Sequence, residues 1–198
     1  MSKKLLFIDG SFFKDEKRSF SKALLNRLAN HFERHSDFQV SKVDLNEIEH
    51  YKSVLHENNL DSYYNDPDVQ NFLNQINNHD QIIISSAIIN CSLSPILRNF
   101  LDSVAIPGKT FTYKKDQKPE YDFSQKKVHL IIESGGENDP RDLTSPLYYF
   151  RNVMILLGFQ NFACTIIENT DVDPEIKKMG SIAYSEKILD EVVAEISK

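Results

Sequence analysis

The chain alternates short, nearly continuous apolar runs with stretches in which apolar residues recur at helical spacing. This alternation limits the possible folds more than any other feature of the sequence. Residues 5–8, 82–84, 128–132 and 162–167 hardly alternate in polarity, as expected of strands covered on both faces. Residues 38–43 alternate apolar and polar side chains, which suits an edge strand. Between these runs, Phe20, Leu24, Leu28 and Phe32 form one apolar helical stripe. Val69, Phe72, Leu73 and Ile76 form a second, entered through Asp66-Pro67 with proline at a first helical position. Ile96, Leu97, Phe100, Leu101 and Val104 form a third, after Ser94-Pro95, and residues 147–157 and 176–196 give two more. The order predicts an α/β, doubly wound, five-stranded parallel sheet with helices on both faces. Strand order 2-1-3-4-5 is the expected arrangement, with another doubly wound order left open. The 198 residues fit one domain spanning 1–198, since a domain commonly runs to ~100–200 residues.

Two segments interrupt the pattern. Residues 50–64 read as a short extra helix and loop. Residues 110–123 place Phe111, Tyr113, Tyr121 and Phe123 around a charged tip, and read as a β-hairpin or a long loop.

Charge and cysteine usage narrow the partners. Lys and Arg total 23 against 29 Asp and Glu, for a net charge of −6, so the basic surface needed for counterion release from nucleic acid is not expected. No apolar run approaches the ~18–20 residues of a membrane span. Residues 1–4 lead into too short an apolar run for a signal peptide. Cys91 and Cys164 lie far apart in apolar surroundings, with no metal or disulfide spacing, and read as buried thiols of a cytoplasmic protein.

In an open α/β sheet, ligands bind at the carboxyl ends of the strands. After the first strand come Asp9-Gly10-Ser11 and then Ser19-Phe20-Ser21 at the start of a helix. Hydroxyls beside free helix-terminal N–H groups suit a phosphate. Capping by Ser19 is the plainer reading and stands beside it. After the third strand comes Ser85 to Pro95, and after the fourth Glu133-Ser134-Gly135-Gly136-Glu137-Asn138. The chain has six glycines, where a typical share of ~7% would give about fourteen. An adjacent pair at a strand end therefore reads as a place where backbone approaches a flat ligand.

Residues 90–94, 97–102 (Leu-Arg-Asn-Phe-Leu-Asp) and 108–113 (Gly-Lys-Thr-Phe-Thr-Tyr) together resemble the FMN-dependent NADH:quinone oxidoreductases, also called azoreductases, a branch of the flavodoxin-like fold. Ser19-Phe20-Ser21 resembles their phosphate loop, Ser11 matches a serine just after strand one, and Leu157-Gly158-Phe159 fits the family pattern before strand five. The resemblance implies FMN held by Ser11, Ser19, Phe20 and Ser21 at its phosphate, and by Ile88, Ile89, Asn90, Cys91, Ser134, Gly135 and Gly136 around its ring. It implies hydride transfer from NADH or NADPH to FMN, then two-electron transfer to a quinone or azo compound, in a ping-pong cycle without a catalytic side chain. It also implies a homodimer. Tyr113 matches an aromatic residue on the substrate side, and a place in a hairpin core is an equal alternative.

Departures from the family are specific. Ala87 replaces a proline, and Ile88-Ile89-Asn90-Cys91 replaces a Met-Tyr-Asn-Phe run, which thins the aromatic wall around the ring. Glu133-Ser134-Gly135-Gly136 stands for Ser-Arg-Gly-Gly, and Asn138 for a histidine.

Other chemistries fit less well. His31 and His35, four apart, read as surface-helix residues without a third metal ligand. No histidine follows His129 to complete a serine-hydrolase triad. Cys91 lacks an evident basic neighbour, so packing is expected over reactivity. A receiver-type phosphoacceptor would want an aspartate where Ser85-Ser86 stand. A flavodoxin-like electron carrier, or a flavin-binding module without azoreductase activity, is the alternative reading.

Overall fold

The computed structural model describes residues 2–114, 116–137 and 145–198. Five parallel strands form the sheet: β1 (Lys3–Asp9), β2 (Phe38–Asp44), β3 (Gln81–Ile89), β5 (Lys127–Glu133) and β6 (Asn161–Ile167). A two-residue strand, β4 (Ser92–Leu93), folds back antiparallel on the end of β3. The spatial order is β2-β1-β3-β5-β6, which for the five parallel strands is the expected 2-1-3-4-5. β2 and β6 are the edges, and β2 carries the alternating pattern read from its sequence.

The helices are α1 (Phe20–Glu33), α2 (Leu60–Tyr64), α3 (Pro67–Asn78), α4 (Pro95–Val104), α5 (Pro146–Leu156) and α6 (Pro174–Ser197). Successive residues of a strand point to opposite faces, and the core divides accordingly. Leu6, Ile8, Ile82, Ile84, Leu130 and Ile132 pack against Phe72, Phe100 and Phe150 of α3, α4 and α5. Leu5, Phe7, Ile83 and Ile131 pack against Leu24, Leu28 and Phe32 of α1 and Val192 and Ile196 of α6. α3 to α6 each begin with proline at the first helical turn, behind an Asp or Ser whose side chain accepts a backbone N–H.

Two expectations change, at β3 and at Cys91, and two segments take one of the forms expected of them. β3 runs on to Ile89, so residues 85–89 are strand and not loop. Ser85 and Ser86 are small, and their hydroxyls are satisfied by Asp9 and Ser94, so the strand continues without an unpaired buried group. Of the two readings of 110–123, the described residues show the long loop, with one parallel bridge, Pro107 to Phe111. Thr110 anchors it, donating to the Val104 carbonyl at 2.7 Å and accepting the Ile106 N–H at 2.9 Å, while Phe123 is fully buried. Within 50–64, expected as a short helix and loop, α2 is the helix, and three short 3-10 turns over residues 45–59 precede it. Cys91 is exposed, contrary to the buried thiol expected of it, whereas burial pushes the Cys164 thiol up to about 12.

Gly180 has φ 74° and ψ 164°, and breaks α6 into two helical pieces. No helix among the described residues is long and apolar enough to cross a membrane.

Candidate functional site

The carboxyl ends of β1, β3, β5 and β6 share one edge, because Asp9 pairs with Ser85, Ala87 with Glu133, and Glu133 with Ile167. The N-terminus of α1 and the β3–β4 hairpin reach the same edge. Every predicted site residue except Tyr113 lies on these segments.

Ser19 is the N-cap of α1, with its hydroxyl oxygen accepting the Lys22 N–H at 3.2 Å. Its proton goes to Glu133 Oε1 at 2.8 Å, and the Ser21 N–H donates to Glu133 Oε2 at 2.9 Å. Ser19 and Ser21 hydroxyls are 3.3 Å apart, and both residues are fully buried. The helix terminus is thus closed by a carboxylate from the end of β5. Burial pushes the Glu133 carboxyl up despite hydrogen bonds from the Ser21 amide, the Ser19 hydroxyl and the Phe20 amide, which pull it down. Phe20 turns its ring onto Tyr184 of α6, with centroids 5.6 Å apart.

Ser11 joins a different cluster. Its N–H donates to Asp9 Oδ1 at 2.9 Å, and Ser85 donates its hydroxyl to the same oxygen at 2.9 Å. The Ser11 hydroxyl lies 3.1 Å from that of Ser85, whose own proton is engaged, so Ser11 is the donor. Asp9 in turn pairs with Lys22 at 2.5 Å, and Lys22 reaches Asp44 at 3.2 Å. Burial alone would lower the Lys22 ammonium, but Asp9 and Asp44 outweigh it and raise it. Ser94 donates to the Gly10 carbonyl, tying α4 to the turn after β1.

The ring-side candidates divide into two groups. Ile88 and Ile89 pair with Leu93 and Ser92, which makes them the half-buried end of a hairpin. Asn90 and Cys91 form its tip, exposed and with positive φ of 49° and 60°. Ser134, Gly135 and Gly136 follow β5. The Ser134 N–H donates to Ile167, and the Ser134, Gly135 and Gly136 carbonyls accept N–H groups of Thr170, Asp171 and Asn169. A Cβ on Gly135 would stand 2.5 Å from Asp171 Oδ2, whereas one on Gly136 would meet open space. The space a Cβ on Gly135 would need is taken by the side chain of Asp171. Tyr113 is 84% exposed, stacks edge-on with Phe111 and sits in no hairpin core. Asn138 lies outside the described residues.

Sequence reasoning did not find Glu133 as a site group. Its signal was present, as an acidic residue closing an apolar strand where the related pattern has serine. Three serines and a helix N-terminus have the right chemistry for an FMN phosphate, but the Ser19 proton and Ser21 amide are already taken by Glu133. Among the described residues, no Lys or Arg pairs with Glu133 to balance a second anion there. A phosphate monoester at this end would have to displace Glu133 from Ser19 and Ser21 or share them with it.

Comparison with known proteins agrees with the fold. An FMN-dependent NADH:quinone oxidoreductase of Metamycoplasma arthritidis is 23% identical over 192 residues, covering 96% of this chain and 97% of that protein. An FMN-dependent NADH:quinone oxidoreductase 2 of Mesoplasma florum is 26% identical over 195 residues, covering 96% of each. The structure of an FMN-dependent NADH-azoreductase of Bacillus anthracis, in complex with FMN, superposes with a TM-score of 0.77 at 15% identity, over 99% of this chain and 100% of that one. A family model described as the flavodoxin-like fold matches residues 3–192, and the chain belongs to that family.

Proposed function

We propose that the chain is an FMN-dependent NAD(P)H:quinone oxidoreductase with azoreductase capacity. The observation that carries this reading is similarity, over nearly the full length of both chains, to two proteins named FMN-dependent NADH:quinone oxidoreductases. A flavin, when bound, supplies the exchange of two electrons between a nicotinamide and a quinone or azo acceptor.

The chain's own residues take supporting parts. The hairpin end Ile88-Ile89-Asn90-Cys91 and the turn Ser134-Gly135-Gly136 flank the place for a ring at the carboxyl edge. Ser11, Ser19, Phe20 and Ser21 lie toward its phosphate end. Ile88 and Ile89 offer apolar surface but no aromatic face, so they exclude water without stacking. Tyr113, exposed beside Phe111, takes the substrate-side role in this reading. The reading extends to one domain over 1–198, a homodimer, a cytoplasmic setting, and either NADH or NADPH as donor.

Steady-state oxidation of NADH by the purified chain, with FMN supplied and menadione or a simple azo dye as acceptor, tests this. Saturable turnover above the rate of free FMN is the expected result. A rate equal to that of free FMN with every acceptor would sink the enzyme reading.

A further inference from the structure

The Glu133 carboxylate sits on the donors that a flavin phosphate would use. Ser19 gives it a proton at 2.8 Å and the Ser21 amide gives it another at 2.9 Å, at the positive end of the 14-residue helix α1. Its backbone is fixed between β3 and β6, in register with Ala87 and Ile167. We infer that Glu133 is an in-chain occupant of the phosphate position, which competes with FMN's phosphate for Ser19 and Ser21 and removes most of FMN's advantage over a phosphate-free flavin.

The competition between the two anions is electrostatic. A terminal phosphate normally gains from several donors at once at a helix N-terminus. Here it must either displace a carboxylate that is hydrogen-bonded twice, or share a dry site with it. Among the described residues no cation pairs with Glu133, and Lys22 of the same helix turn is held by Asp9 and Asp44. Riboflavin ends in a hydroxyl, which carries no charge and can donate to the carboxylate, so Glu133 does not oppose it. The side chain can also leave. Burial disfavours its charged form, and Ser19 retains its capping bond to the Lys22 N–H when Glu133 is gone.

This inference rests on the flavin reading above, and the experiment separates the two. FMN and riboflavin are titrated by fluorescence into the wild-type chain, Glu133→Gln and Glu133→Ser. Thermal shifts of the same three proteins are recorded with and without inorganic phosphate. Glutamine keeps the fold, since it can accept the Ser21 N–H and donate to the Ser19 oxygen. Serine clears the position.

The wild-type chain is expected to bind both flavins within about tenfold of each other, and both variants to gain about tenfold or more for FMN with riboflavin little changed. Phosphate is expected to stabilise Glu133→Ser and not the wild type. If no protein binds either flavin but phosphate still stabilises only Glu133→Ser, the occupant role stands and the flavin reading falls. Two results overturn the inference. One is a wild-type preference for FMN of about a hundredfold or more that neither variant changes. The other is a folded Glu133→Ser protein that gains neither FMN affinity nor stabilisation by phosphate.

Discussion

Glu133 and Ser19 lie 114 positions apart in sequence, yet the serine hydroxyl donates to the carboxylate at 2.8 Å and the pair closes the first turn of α1. Ser19 therefore does two things at once, capping the helix through the Lys22 N–H and holding the end of β5. Ser19→Ala removes both and leaves a buried carboxylate with one fewer donor. The expected loss is about 1–3 kcal/mol, read as a fall in urea midpoint at unchanged slope. A midpoint equal to wild type would mean that the pair contributes nothing to folding.

Lys22 should be the most costly single truncation at this edge. It is 8% exposed and lies between Asp9 and Asp44, at 2.5 and 3.2 Å. Lys22→Met leaves the buried Asp9 facing Asp44 without a cation, with an expected loss of about 3–5 kcal/mol. Adding Asp9→Asn should restore part of it, because the neutral amide needs no counter-charge. Chemical denaturation of the two single variants and the double variant gives the coupling, and strict additivity would contradict the arrangement.

His129 makes stability depend on acid pH. It is buried in β5, its Nε2 lies 2.8 Å from Thr165 Oγ1, and among the described residues its Nδ1 has no hydrogen-bond partner. Burial lowers its pKa from 6.5 to about 4. The unfolded chain therefore takes up a proton that the folded chain refuses between those values. Stability from this group is complete above pH ~6.5 and is lost as pH falls toward ~4, by up to about 3 kcal/mol. His129→Leu should flatten that slope. An unchanged slope in the variant would assign the acid sensitivity to other groups.

The two cysteines should differ in reactivity. Cys91 is exposed at the hairpin tip, whereas burial pushes the Cys164 thiol up to about 12. A disulfide reagent at pH 8 should modify one thiol per native chain rapidly and the second more slowly. Two equally fast thiols in the native chain would contradict the slower reaction expected of the half-buried Cys164.

The glycine pair makes a graded prediction. Gly135→Ala makes the exposed Asp171 carboxylate swing aside and still leaves a tight contact with the Asp171 Cβ at 3.3 Å, so it should cost about 0.5–1 kcal/mol, while Gly136→Ala enters open space and should stay within about 0.5 kcal/mol. Thermal denaturation of the two variants side by side checks the ranking.

The strands and helices of the sheet were legible because each buried run, such as Leu5 to Ile8, carries its period in the residues themselves. Proline behind Asp66, Ser94, Ser145 or Asp173 marked helix starts in the same local way. What escaped the sequence depends on distant partners. Ser85 and Ser86 look like a loop until Asp9 and Ser94 are found beside them. Ser11, Ser19 and Ser21 look like one phosphate cradle, but the fold gives Ser11 to Asp9 and Ser85 and the other two to Glu133. Gly135 looks like a ligand contact, and its neighbour is Asp171. Side-chain chemistry could be read along the chain, but which groups were already engaged could not.

The flavin proposed for this chain binds at the carboxyl edge of its sheet. The most direct measurement is an equilibrium titration of FMN fluorescence with the wild-type chain and with Glu133→Ser. A saturable change at one flavin per chain, tighter in the variant, is the predicted result. FMN fluorescence that neither protein alters at any concentration reached would contradict it.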